Sequence, residues 1–275
     1  MIFDILYEFF TMTMDTPKMY GNFHLCALFL TLIVTVLLCH QSNRFSFEPW
    51  RVIFTTSLLV LCLEVYKQFV YSFTWNGTAL TFDYQWYAFP FQFCSTPMII
   101  GLLTGICRKG KIHDMLCSYL ATYSLFAGIC VMLYPSTVFI DLIGINIQTM
   151  VCHGSMIVIA IYLFYTGHIK LEIQTVFKAL PVFLILVGCA VIMNEIAFYS
   201  GLLETETFNM FFISSHCSPE LPVYSSIQNL VPYPISLLIY IFGFTIAASI
   251  ILITLKIITQ WMAQEDDLDL AEYEK

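Results

Sequence analysis

The sequence predicts an all-α fold, a polytopic bundle of membrane-spanning helices, and three observations carry the prediction. Of the 275 residues 59% are hydrophobic and only 11% charged, against about 25% charged in a soluble domain. The apolar residues fall into seven stretches, each near the roughly 20 residues that cross a bilayer as a helix. The stretches are continuous rather than alternating, which excludes a closed β-barrel and leaves the helix as the structure that pairs every backbone polar group in lipid.

Taken in order, the stretches run over residues 21–39, 52–74, 87–107, 113–134, 146–167, 179–202 and 233–261. Seven crossings put the termini on opposite sides. Arg44, Arg51, Arg108, Lys109, Lys111, Lys170, Lys178, Lys256 and Lys275 fall on one side, Lys18 alone on the other and Lys67 inside the second stretch. Basic residues mark the cytoplasmic face, so the N-terminus is expected outside and the C-terminus in the cytoplasm. The domain plan is an external interfacial segment (1–20), the seven-helix domain (21–261) and an acidic cytoplasmic tail (262–275), in a multi-pass protein of the plasma membrane.

The ends and loops fit that plan. Ile2, Ile5, Leu6, Phe9 and Phe10 share one helical face, which suits a segment lying on the membrane surface. The formal charge of -8 comes largely from Glu265, Asp266, Asp267, Asp269, Glu272 and Glu274, a solvated run. Asn76, Gly77 and Thr78 have glycosylation spacing but read as a plain turn. Nine of the ten cysteines lie in apolar stretches, where they act as small lipid-compatible side chains.

Each polar residue within a stretch has a depth at about 1.5 Å per residue. His24, Glu64, Lys67, Cys94, His153, Asn194 and Glu195 come from stretches running in opposite directions, yet they share one level, on the order of 6 to 15 Å below the outer surface. A charge in the bilayer costs at least about 2.5 kcal/mol, so these residues are expected to face a single cavity. Glu64, Lys67, Gln68 and Tyr71 recur at i, i+3, i+4 and i+7 and form a polar stripe, with Glu64 and Lys67 able to pair across one turn. Asn146, Thr149 and His153 form a similar stripe.

The third stretch carries "FPFQFCSTPM". Pro90 suits a first helical turn, and Pro97 is expected to kink the helix by displacing the carbonyl of Phe93. Cys94 lies between them beside Gln92. A cysteine nucleophile needs a base, and His24 or His153 is placed to provide it. The same residue types also raise the question of a metal. His24, His153, Cys94 and Glu64 include no i, i+4 pair on one helix, so no metal and no cofactor are expected. The scattered glycines and few basic residues exclude phosphate loops and nucleic-acid binding.

The pattern resembles the YwaF-like integral membrane family, whose animal branch includes an acyltransferase acting on ether phospholipids. The matching features are "FHL" (His24), "LEVYK" (Glu64, Lys67), "FPFQFC" (Pro90, Gln92, Cys94), "LYP" (Tyr134, Pro135), "VCHG" (His153), "MNEIAFYSG" (Asn194) and "VPYPISLL" (Pro232, Pro234). The resemblance implies a seven-span protein in which the third-span cysteine, here Cys94, carries an acyl chain. Ser95 follows Cys94, so no histidine adjoins it and the base comes from another helix.

Two functions lead, ahead of a third in which a sensor or assembly subunit couples the cavity to the cytoplasmic tail. The first is a cysteine-dependent acyltransferase acting on membrane lipid, with Cys94 as nucleophile, His24 or His153 as base, and Lys67 or Asn194 holding a phosphate or oxyanion. The alternative is a transporter or receptor-like binder of a small zwitterionic solute or lipid headgroup, with Glu64 and Lys67 as counter-ions. Cys94→Ala is harmless under the second and fatal under the first.

Overall fold

The computed structural model describes residues 2–42, 44, 48–76, 78–201, 203, 206–218, 221–228 and 230–273. Its helices are α1 (Ile2–Phe10), α2 (Asn22–Ser42), α3 (Pro49–Val70), α4 (Thr96–Ile106), α5 (Lys111–Tyr119), α6 (Leu125–Leu133), α7 (Ile143–Tyr165), α8 (Ile173–Ser200), α9 (Pro222–Gln228) and α10 (Tyr233–Tyr273). A π-helical turn, Leu120–Ser124, joins α5 to α6. Strands β1 (Phe73–Trp75) and β2 (Leu80–Phe82) form an antiparallel hairpin pairing Phe73 with Phe82.

Among the described residues, six helical segments are long and apolar enough to cross a membrane: Asn22–Ser42, Pro49–Val70, Lys111–Leu133, Ile143–Tyr165, Ile173–Ser200 and Tyr233–Gln264. Lys111–Leu133 and α7 are mostly buried and form the centre, whereas α2 and α10 turn most of their surface outward. Outward residues such as Phe29, Leu32, Ile192 and Phe242 are apolar, as a lipid-facing surface requires. At the centre Tyr123 stacks on Phe183 at 4.4 Å, and Phe93 meets Phe244 edge-on at 4.9 Å, tying the π-helical turn to α8, and α10 to the segment that precedes α4.

The third apolar stretch departs from a continuous helix over 87–107. Residues 86–88 form a 3₁₀ turn, Phe89 is extended (φ −51°, ψ 134°), and the α-helix begins only at Thr96. Proline disfavours the α conformation in the residue before it, so Pro90 holds Phe89 extended. Pro97 sits in the first turn of α4, where its missing N–H costs nothing, and so opens the helix instead of kinking it. At 11 residues α4 is about 16 Å long, short of the roughly 30 Å bilayer core.

The chain's ends also extend the expected plan. Phe10 packs against Tyr66 and Phe69, and the Tyr66 hydroxyl donates to the Phe10 carbonyl at 2.7 Å, fastening α1 to the end of α3. Ile5, Leu6, Phe9 and Met12 remain exposed. The Met14 N–H donates to the Asp141 carbonyl at 2.8 Å, drawing the N-terminal segment over the α6–α7 connection. At the other terminus α10 continues through Tyr273, beyond the boundary at 261, because Ala263, Leu268, Leu270 and Ala271 favour helix and no glycine or proline interrupts them.

Close helix approach depends on glycine. A Cβ on Gly128 of α6 would lie 2.9 Å from the His153 carbonyl of α7, and one on Gly101 of α4 would collide with the Ser57 hydroxyl of α3. Backbone cannot move aside as a side chain can, so Gly128→Val is expected to destabilise the bundle by about 2 kcal/mol. A thermal unfolding series in one detergent measures it.

Candidate functional site

The polar stripe of α3 gathers a network at the end of the bundle that carries the hairpin. Glu64 is only 4% exposed. Its carboxylate pairs with the Lys67 ammonium at 2.9 Å and accepts from Gln68 Nε2 at 2.8 Å and Gln148 Nε2 at 3.2 Å. A buried carboxylate persists only when paired and hydrogen-bonded, and three donors from two helices meet that need. Gln68 also donates to the Ala88 carbonyl at 2.8 Å and accepts from the Tyr84 hydroxyl at 2.7 Å. Burial, with the Glu64 charge behind it, leaves the Tyr84 phenol pushed up to about 12, so it stays protonated and keeps donating. The stripe therefore fastens the 71–88 loop onto α3.

Cys94 stands in the turn just before α4, two residues from its first residue. Ser95 and Thr96 donate their N–H groups to the Gln92 carbonyl at 2.9 and 3.1 Å, which closes the turn. The Cys94 side chain is half-buried. Its carbonyl accepts from the Cys152 thiol at 3.6 Å, so α7 abuts this turn, and His153 is the next residue along α7. His153 is buried; its Nδ1–H donates to the Thr149 carbonyl at 2.7 Å, while Nε2 has no partner among the described residues. That tautomer leaves the Nε2 lone pair free. Lys67 lies within electrostatic reach of both Cys94 and His153.

His24 stands apart. It is fully buried, Nδ1 accepts from the Tyr20 N–H at 2.9 Å and Nε2 donates to the Met132 carbonyl at 2.8 Å. Both nitrogens are engaged, so the ring fastens α2 to the end of α6. Asn146 likewise bonds both ways with the Ile140 backbone, at 2.8 and 3.0 Å. Glu195 faces outward to the His216 ring and the Ser215 hydroxyl, each at 3.0 Å. The shared depth therefore resolves into separate clusters, because residues at one level can point in different directions around their helices.

Asn194 and Gln92 hold the connection between α8 and α9. The Asn194 amide donates to the Met210 carbonyl at 3.1 Å and accepts from the Met210 N–H at 2.8 Å. Gln92 donates weakly to the Tyr87 and Asn209 carbonyls, at 3.3 and 3.4 Å. Phe208, Met210, Phe211 and Ile213 are all buried. Phe211 packs on Phe91 and Phe93, and Phe208 on Trp86 and Phe89. This loop covers the turn that bears Cys94, and Phe211 adopts φ 60° to do so. Asn194→Ala would strand the buried Met210 N–H and leave its carbonyl only the long bond from the Ile213 N–H at 3.4 Å, so a loss of about 2 kcal/mol is expected, with faster proteolysis within residues 206–218 as the check.

Sequence reasoning missed Gln148 and this cover. Gln148 lies four residues before Cys152 on one face of α7, a spacing that marks it as a neighbour of the Cys94 turn. The run "FNMFFI" was the signal for the cover, since five large apolar residues among six in a loop need burial.

An apolar groove of about 470 Å³ lies between α2, α3 and α7, lined by residues such as Phe23, Leu30, Val34, Leu59, Met150 and Val158. Ser155 belongs both to this groove and to a void of about 10 Å³ that touches Cys152 and Pro97. The apolar wall thus reaches within a helix turn of the polar turn at Cys94.

A helical bundle with an apolar outer surface and an inward polar network defines an integral, multi-pass membrane protein. The TMEM164 family, a family of transmembrane proteins, matches residues 19–256, and the chain belongs to it. No curated protein and no solved structure matches the chain.

Proposed function

We propose that the chain is a YwaF-like member of this family that transfers acyl groups between membrane lipids through a thioester on Cys94. The observation that supports the reading is Cys94 in a closed turn against α7, whose next residue, His153, keeps a free Nε2. The Cys94 sulfur attacks the ester carbonyl of a phospholipid as its proton passes to His153 Nε2. The C–O bond then breaks, the proton moves to the departing lipid alkoxide, and a thioester remains. An acceptor lysolipid hydroxyl gives its proton to His153 and attacks the thioester; the C–S bond breaks and His153 returns the proton to the Cys94 sulfur. Lys67 stays paired with Glu64 at 2.9 Å and lends only a partly neutralised positive charge near the oxyanion. His153 takes the role of base in preference to His24, whose nitrogens are both engaged.

Glu64 and Lys67 neutralise one another at 2.9 Å, which weighs against a solute binder that uses each as a free counter-ion. In our reading the chain crosses the plasma membrane seven times, with residues 86–106 as a discontinuous third passage. Non-helical backbone is tolerated at membrane depth when protein covers it, and the 206–214 loop is the cover. The N-terminal 20 residues lie outside on the membrane surface, and the acidic run after 261 extends into the cytoplasm.

Mass-spectrometric mapping of protein purified from native lipid tests the proposal. A hydroxylamine-sensitive acyl group on Cys94, absent from the other nine cysteines, is expected. A free Cys94 thiol that also resists lipid-thioester probes overturns it.

A further inference from the structure

At the end of the bundle opposite the hairpin, a second cluster gathers outside the site described above. His113 and Cys117 sit four residues apart on α5 and so share one face. His168 comes from the connection between α7 and α8, beside Gly167, whose φ of +69° turns the chain back. His113 Nε2 lies 3.0 Å from His168 Nε2 and 3.4 Å from Cys117 Sγ, and all three atoms fall within 4.8 Å of one another.

The orientation of His113 is set independently. Its Nδ1–H donates to the Cys107 carbonyl at 2.8 Å, so Nε2 carries the lone pair and aims it at the other two groups. Metal-ligating histidines are oriented by this kind of outer hydrogen bond to a carbonyl. His113 and Cys117 are buried, 3% and 0% exposed, whereas His168 is exposed. One side is therefore dry and preformed and the other open to an incoming ion. Zn–N bonds of about 2.05 Å and a Zn–S bond of about 2.3 Å at tetrahedral angles separate ligand atoms by about 3.3 Å (N to N) and about 3.6 Å (N to S). The observed spacings are within a few tenths of an ångström of both.

We infer that His113, Cys117 and His168 bind a divalent cation of the zinc class, with water in the fourth position. Thiolate and imidazole ligands select such an ion over magnesium or calcium, which take oxygen. Binding displaces the Cys117 thiol proton to solvent, and His168 presents its Nε2 lone pair with the ring proton on Nδ1. Asp114, within electrostatic reach of Cys117 and His168, adds negative charge beside the cation. Because Cys107 ends α4, the ion joins the end of α4, the start of α5 and the α7–α8 connection.

The full-length chain, purified in detergent, stripped with chelator and reloaded with Zn²⁺, is the material for the test. Elemental analysis after dialysis is expected to give one zinc per chain. Reloading with Co²⁺ is expected to give a sulfur-to-cobalt charge-transfer band. His168→Ala, an exposed change that leaves the buried core intact, and Cys117→Ser each reduce zinc affinity by about 100-fold or more, and Cys117→Ser removes the cobalt band. Cys189→Ser changes neither. Zinc well below one equivalent in the parent chain, or undiminished affinity in His168→Ala, overturns the assignment.

Discussion

Cys94→Ser is expected to abolish acyl labelling while the protein still inserts and keeps its helical content. The serine hydroxyl fits where the thiol fits, and the turn is held by backbone bonds from Ser95 and Thr96 to the Gln92 carbonyl, so the fold has little reason to change. A neutral hydroxyl is a far weaker nucleophile than a thiol assisted by a base. His153→Gln is expected to retain the labelling site but slow its acylation by about 10²- to 10⁴-fold, the usual contribution of a positioned general base. His24→Gln serves as the contrast. With both ring nitrogens tied to backbone, it lowers thermal stability and leaves the labelling rate of the folded fraction unchanged. Labelling that persists in Cys94→Ser places the acyl group elsewhere and ends the thioester mechanism.

Lys67→Met is expected to cost about 3 kcal/mol, because removing one partner of a buried ion pair leaves the other charge uncompensated. The Lys67 side chain is 15% exposed and that of Glu64 5%, so water can do little to replace the lost ammonium. Gln68 and Gln148 still donate to the carboxylate, which holds the loss near the lower end of the usual range. Lys67→Met combined with Glu64→Gln is expected to recover most of the stability. Thermal unfolding of the four proteins in one micelle gives the coupling energy directly. Additive losses would show that the pair is not coupled and that α3 is held by its apolar contacts alone.

Much of this was legible in the sequence. The apolar runs located α2, α3 and α7 to within four residues and α8 to within six, because membrane-spanning helices advertise themselves by continuous hydropathy. The α3 stripe was legible because i, i+3 and i+4 neighbours meet on any helix, and Glu64, Lys67 and Gln68 do meet. Depth was less informative. It set His24, Glu195 and Cys94 at one level, but direction around the helix, which rules contact, depends on packing partners distant in the chain. The start of α4 was obscured because hydropathy does not register the extended residue that Pro90 imposes. The His113, Cys117 and His168 cluster needs a residue from a remote connection, and spacing along α5 supplies only half of it.

The apolar loop over the Cys94 turn has a consequence for traffic. With Phe208, Met210, Phe211 and Ile213 packed over that turn, the lipid substrate of the proposed mechanism is expected to enter by the groove between α2, α3 and α7. Molecules arriving there diffuse in two dimensions and are drawn from the composition of the surrounding leaflet. Their effective concentration is a mole fraction of lipid. A soluble competitor, however abundant, does not share that pool.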